Sequence, residues 1–251
     1  MTIYRRPDPI PIKKDKGKAS LGVAPIRGRR DLYEEAAFSI FQTIWSGQLD
    51  DVGLLPGENE LVSELGVSRT VVREATKYLA SKGILETRRR LGTQVLPRDR
   101  WNLIDADLIE WMFDLGPADQ VNQELWDAFA AAQPEIAALA AQRRATLSTE
   151  ATSLSSDAMD DKELIERFCH FHQRLTQATG NRFLSSLTHR CLEGMSRFAS
   201  AEFAVRIRSM DRGIYPELSQ AVAEGKGAPA KSKMQSAMAS TGKTDSAKAL
   251  G

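Results

Sequence analysis

The sequence predicts a mainly α-helical protein with an N-terminal helix-turn-helix that carries a small β wing, and a C-terminal bundle made of helices alone. Residues 55–97 contain two short stretches of helical periodicity divided by a turn, followed by two short strands around an arginine-rich turn. Residues 120–225 repeat apolar side chains at helical spacing and show no strand alternation. The 251 residues are sufficient for two such domains.

The helix-turn-helix is predicted from its turn and capping residues. Residues 58–65 place leucine and valine at helical spacing, and Gly66 ends this helix. Ser68 is a favourable N-cap for a second helix over 69–81, and Gly83 is a favourable C-terminal stop. The few residues between the two helices match the spacing of a helix-turn-helix.

The polar side chains of this segment have the chemistry that DNA binding requires. The first turn and a half of the second helix carries arginine and threonine off the apolar stripe, and in a recognition helix these positions reach base edges. Arginine can bond guanine through two hydrogen bonds, and hydroxyl groups can bond phosphate or base. Arginines in the turn between the strands can lie along a phosphate backbone. The predicted DNA-binding residues are Ser68, Arg69, Thr70, Arg73, Arg88, Arg89, Arg90, Gly92 and Thr93.

Positive charge is concentrated in the same segment. Residues 66–101 contain nine Lys or Arg and three Asp or Glu, whereas the whole chain has a net charge of only +1. A localised basic module on a nearly neutral protein indicates contact with nucleic acid. Three consecutive arginines alone could form a solvated turn, but their position after a helix-turn-helix favours a DNA-binding wing.

Four short segments resemble the winged helix of the GntR family of transcription factors. They are LPGENEL at 55–61, GVSRTVVREA at 66–75, GIL at 83–85 and GT at 92–93. The resemblance implies that the two recognition-helix arginines and the wing turn contact the operator. Asn59 departs from the family pattern, in which many members carry an arginine that binds DNA, so one contact is expected to be altered.

The remaining sequence divides by composition. The N-terminus is rich in Lys, Arg and Pro and cannot bury a core, and the C-terminus is rich in Gly, Ala, Ser and Lys. An apolar segment after the wing predicts a helical connector, and Pro134 is expected to kink or divide a later helix. The predicted regions are a basic disordered tail at 1–30, the winged helix at 31–98, the helical connector at 99–115, the helical domain at 116–225, and a disordered or frayed tail at 226–251.

The helical domain resembles the FCD effector domain of the FadR branch of GntR regulators. The resemblance rests on FHQRLTQATGNRFL at 171–184, and residues 98–111 are similar to a segment of sugar-acid repressors of the galactonate type. It implies a bundle around a cavity in which an aspartate and three histidines bind a divalent cation. It also implies an arginine that binds the carboxylate of the effector.

The chain departs from that pattern at most of these positions. His172 matches the first histidine, but the aspartate is replaced by Phe168 and the next histidine by Tyr215. Phe129 falls where the arginine is expected, and the chain has no histidine after His189. One imidazole does not make a metal site, so we expect no metal and no other cofactor. Phe129, Phe168, His172 and Tyr215 are the candidate effector-pocket residues.

Together these features predict a cytoplasmic, homodimeric regulator that binds a double-stranded DNA operator. An enzyme is not expected, since neither a nucleophile motif nor a phosphate-binding loop is present, and no apolar run is long enough to span a membrane. A dimer is expected because paired winged helices read paired half-sites. We expect a repressor of a catabolic operon that is relieved by a small molecule, either a sugar acid or other carboxylate, or a more apolar compound. An activator, an effector-blind regulator with a degenerate pocket, and a non-specific nucleic-acid-binding protein remain alternatives.

Overall fold

The computed structural model describes residues 32–48, 53–89, 91–147, 151, 154 and 159–239. The predicted tail at 1–30 and the last twelve residues of the chain lie outside the described residues. The chain forms two compact units that divide after Asp105, and each unit is described by itself.

The first unit is a winged helix-turn-helix, as the sequence predicts. α1 packs across α3, and it buries Ile40, Phe41 and Ile44. The two strands of the wing are antiparallel, with Leu85 opposite Val95. The elements are α1 (Leu32–Trp45), α2 (Glu58–Leu65), α3 (Arg69–Ser81), β1 (Leu85–Arg88) and β2 (Gly92–Val95).

The predicted helix boundaries are confirmed by their local geometry. Ser68 caps α3, because its Oγ accepts a hydrogen bond from the backbone N–H of Val71 at 3.3 Å. Gly66 ends α2 in the left-handed conformation at φ 68°. Gly83, just after α3, has φ 74°, and a Cβ added there would lie 2.4 Å from the carbonyl oxygen of Arg100. The chain therefore turns out of the recognition helix at a position that only glycine fits.

The expected helical connector at 99–115 is not continuous. Residues 98–100 form one 3-10 turn, and the next helix, α4 (Ala106–Leu115), begins in the second unit. Trp101 explains the interruption, because its buried indole N–H donates to the carbonyl of Leu96 at 2.8 Å and holds the backbone extended, with ψ 140°. The segment up to Asp105 thus belongs to the winged-helix unit.

In its described residues, the second unit is all helical. α5 continues as one helix through Pro134, so of the two expected effects of this proline, a kink or a division, the division does not occur. Proline removes a single N–H donor, and Phe129, Ile136 and Ala137 on either side are buried and hold the helix in place. The further helices are α5 (Ala118–Gln142), α6 (Asp161–Ala178), α7 (Arg182–Phe198), α8 (Ser200–Ser209), α9 (Tyr215–Ala223) and α10 (Gly227–Ala239).

The expectation of a frayed tail from residue 226 is wrong up to Ala239. α10 packs against α5 and α9, and it buries Ala230, Met234, Ala237 and Met238. Its Gly, Ser and Lys residues lower the average hydropathy of the segment, but the alanines and methionines make an apolar stripe that α5 covers. Among the described residues, none of the helices is both long and apolar enough to cross a bilayer.

Candidate functional site

The N-terminus of α3 presents the predicted base-reading side chains to solvent. Ser68, Arg69, Thr70 and Arg73 are all exposed. Val72 and Ala75, on the other side of the helix, are buried in the unit core. The buried side fixes α3 in the unit, so the exposed side has a defined direction for docking into a groove.

The two arginines of this surface differ in their surroundings. Arg73 donates from Nε to Oε2 of Glu58 at 2.9 Å, and its side chain remains 64% exposed. Arg69 has no ion-pair or hydrogen-bond partner in the described part of the chain. Both arginines border a surface depression whose other side is the start of α2, including Glu58 and Asn59. Sequence reasoning missed Glu58, because 15 residues separate it from Arg73.

The wing places the other predicted residues at an exposed hairpin. Arg88 ends β1, and its guanidinium binds Glu86 at 2.7 Å. Arg89 lies in the turn, exposed, and has no partner among the described residues. Thr93 faces Thr87 across the hairpin, with their hydroxyl oxygens 3.1 Å apart. Gly92 pairs with Arg88 at the start of β2, and Arg90 lies outside the described residues.

The four candidate effector-pocket residues come together in the core of the second unit. Phe129 on α5, Phe168 and His172 on α6, and Tyr215 on α9 are each at most 1% exposed. The ring of His172 lies 4.3 Å from that of Phe168, 5.0 Å from that of Phe129 and 5.8 Å from that of Tyr215, measured between centroids. The rings of Phe129, Phe168 and Tyr215 are therefore all in contact with the ring of His172.

The polar atoms of this core bind one another. Nδ1 of His172 lies 2.8 Å from Oε1 of Gln133, and Nε2 lies 3.0 Å from the Tyr215 hydroxyl. An amide oxygen only accepts, so Nδ1 carries the proton and Nε2 accepts from the tyrosine. Nε2 of Gln133 in turn lies 3.5 Å from the Thr188 hydroxyl. Gln133 follows Phe129 by one helical turn, and this spacing could have revealed it in the sequence.

Burial controls the protonation of the same groups. It lowers the pKa of His172 from its ordinary value of 6.5 to about 3, because a charged imidazole would lose its hydration. Burial also raises the pKa of the Tyr215 phenol, and the nearby charge of Arg212 offsets part of that increase. The pair is therefore neutral throughout the physiological pH range.

The divalent cation implied by the family resemblance does not fit these residues. Both ring nitrogens of His172 are engaged, and the neighbouring positions supply phenyl rings where a cation needs oxygen or nitrogen ligands. Among the described residues, no group of three or more His, Cys, Asp or Glu side chains is placed to bind a metal ion.

Comparison with known proteins places the first unit in a family. The model of bacterial regulatory proteins of the gntR family matches residues 32–95. The chain is also 30% identical over 173 residues to YieP, an uncharacterized HTH-type transcriptional regulator of Escherichia coli K12, with 66% of this chain and 75% of YieP covered. This chain belongs to the GntR family. It is a DNA-binding transcriptional regulator and not an enzyme.

Two further matches to this GntR regulator, one in sequence and one in fold, extend beyond the winged helix. The galactonate operon transcriptional repressor of Escherichia coli K12 is 27% identical over 139 residues, which cover 53% of this chain and 61% of that repressor. Lar of Listeria monocytogenes, a solved structure described as controlling the expression of the agr system, is 18% identical with a TM-score of 0.52, and the match covers 86% of this chain and 96% of that one. The likeness to Lar supports the fold alone.

Proposed function

We propose that this GntR regulator is a homodimeric repressor that binds a double-stranded operator in the cytoplasm. The observation that carries the proposal is the exposed N-terminus of α3, where Arg69 and Arg73 extend from a helix fixed by its buried face. A single winged helix makes few base contacts, so two copies on paired half-sites give the specificity that an operator requires. The similarity to a galactonate operon repressor supports repression of a catabolic operon.

Arg73 and Arg89 should have different roles on DNA. Arg73→Ala should weaken binding to an operator selected from random DNA by about 1–3 kcal/mol and broaden the base preference. Arg89→Ala should weaken specific and random DNA similarly and reduce the salt dependence by about one phosphate contact. Fluorescence anisotropy at several salt concentrations separates the two effects. Equal losses on operator and random DNA for Arg73→Ala would contradict its role in base reading.

We further propose that the second unit forms an FCD-type domain that provides dimerisation and binds the effector. Phe129 does not favour a carboxylate effector, since its phenyl ring occupies the position of the arginine that the family resemblance implies for binding the carboxylate. A sugar acid would therefore need a different cationic side chain to bind its carboxylate. A more apolar effector is better suited to the aromatic rings of Phe129, Phe168 and Tyr215. By linkage, any inducer must bind the DNA-free form more tightly than the DNA-bound form.

An effector-blind regulator is the second candidate, and it is favoured by the burial of His172 and by the engagement of both its ring nitrogens with protein side chains. Sugar acids, other carboxylates and apolar metabolites should be titrated into the protein–operator complex at fixed salt. Release of DNA by one compound class identifies the effector chemistry, whereas unchanged binding with every class would support the effector-blind alternative. Native mass spectrometry of the same sample tests the dimer, and a monomeric protein that retains full operator affinity would contradict it.

A further inference from the structure

Glu58 is an acidic side chain in the middle of a surface that is proposed to bind a polyanion. It is the first residue of α2, and its carboxylate accepts from Nε of Arg73 at 2.9 Å across the helix-turn-helix. The backbone beneath it is fixed, because Leu61 and Leu65 of the same helix are buried and the Gly57 N–H donates to Glu60 at 2.9 Å. A rigid element therefore holds the carboxylate beside a flexible arginine.

This ion pair contributes little to the stability of the fold. The side chains of Arg73 and Glu58 are 64% and 34% exposed, and exposed pairs of this kind are screened by water. The contact instead restricts the conformations of the Arg73 side chain. An unrestrained arginine samples many rotamers, and this conformational entropy is lost on binding. Holding the guanidinium in one direction before DNA arrives reduces that loss.

Glu58 binds one edge of the Arg73 guanidinium, and this leaves the other edge to bind DNA. Glu58 accepts from Nε, so the two terminal nitrogens remain as a pair of donors. Two parallel donors match O6 and N7 of guanine in the major groove. A carboxylate at this distance also repels phosphate. Arg73 is therefore suited to a base edge, whereas Arg69, without such a carboxylate, can bind either partner.

We propose that Glu58 is a positioning residue that sets the base preference of Arg73 without touching DNA itself. The inference rests on the proposed role of the α3 N-terminus in operator binding, and it adds a residue outside the recognition helix to the specificity of that surface. Removing Glu58 should increase affinity for random DNA, because one negative charge is lost, while it reduces discrimination at the base that Arg73 reads.

The test compares Glu58→Ala with Glu74→Gln, since both variants remove one negative charge from the same unit. Glu74 pairs with Lys77 on α3 at 2.8 Å and leaves Arg73 untouched. Affinities for the selected operator, for single-base variants of it and for random DNA are measured by anisotropy. Glu58→Ala should lower the ratio of operator to random affinity about three- to fivefold, whereas Glu74→Gln should change it less than twofold.

Two further variants separate positioning from general charge effects. Glu58→Gln should retain most of the discrimination, because its amide oxygen can still accept from Nε. In an Arg73→Ala background, Glu58→Ala should produce no additional loss of discrimination at that base. The inference is overturned if Glu58→Ala and Glu74→Gln behave alike while Arg73→Ala still blurs the base preference. If the wild-type protein itself shows no operator preference, the proposed function fails instead, and the inference fails with it.

Discussion

Lowering the pH from 7.5 to 5 should destabilise the second unit through the imidazole of His172. In the unfolded chain this group titrates near its ordinary pKa of 6.5, whereas burial lowers the folded pKa to about 3. Because the folded pKa is depressed, the unfolded state takes up a proton first as the pH falls. The stability that the neutral imidazole contributes is thus fully present above pH 6.5 and is lost between pH 6.5 and 3.

The size of the effect follows from the two pKa values. While the His172 imidazole of the folded state stays neutral, each pH unit below 6.5 lowers the free energy of unfolding by up to about 1.4 kcal/mol. At pH 5 the free energy of unfolding is therefore lower by about 2 kcal/mol. The surroundings of His172 do not compensate, since Phe129, Phe168 and Tyr215 carry no charge in this range. A loss of this size is a large fraction of the stability of a typical domain.

Hydrogen exchange of α6 amides, corrected for the intrinsic exchange rate at each pH, measures this loss locally. His172→Gln should flatten the pH slope of the opening free energy below pH 6.5, whatever its own stability, whereas His170→Gln should retain it because His170 is exposed. Nuclear magnetic resonance of the wild-type protein gives a second readout, in which the ring of His172 should remain neutral at pH 5. Equal slopes for wild type and His172→Gln would refute the reasoning.

Two packing predictions can be checked by urea unfolding of the full chain. Gly83→Ala should destabilise the first unit by more than about 2 kcal/mol, because a left-handed alanine costs about 1–2 kcal/mol and its Cβ would also collide with the Arg100 carbonyl. The control is Gly57→Ala, at φ −61°, which should destabilise the same unit by at most about 1 kcal/mol. Met234→Ala should lower the free energy of unfolding of the second unit by about 2–5 kcal/mol, because it leaves a cavity beneath α10. Lys231→Ala on the same helix should change that free energy by less than about 1 kcal/mol. Similar losses within either pair would contradict the packing that the structure shows.

The winged helix could be predicted from sequence because its signals are local. Ser68 caps a helix through its own backbone neighbours, and Gly66 and Gly83 mark conformations that other residues avoid. The burial of His172 also follows from its position on an apolar helical face. Each of these inferences needs only residues within one or two helical turns of each other.

The structural features that were missed depend on partners distant in sequence. The contact between Glu58 and Arg73 crosses a turn, and the hydrogen bond between Gln133 and His172 joins two helices. Ala199, at φ −138°, separates α7 from α8. α10 has the composition of a tail, because small residues become a packing surface only when another helix covers them.

Close contacts join the end of the recognition helix to the point where the chain leaves the first unit. The buried ammonium of Lys82, directly after α3, binds Asp105 at 2.5 Å, and the Lys82 carbonyl accepts from the Asn102 N–H at 2.9 Å. Gly83 approaches the Arg100 carbonyl so closely that no side chain fits between them. A displacement at residue 106 that is transmitted along the chain must therefore either carry α3 with it or break one of these contacts. Separating the buried Lys82 ammonium from the Asp105 carboxylate would remove a close ion pair from a buried charge, which is costly, so movement of α3 as part of the whole unit is the less costly response.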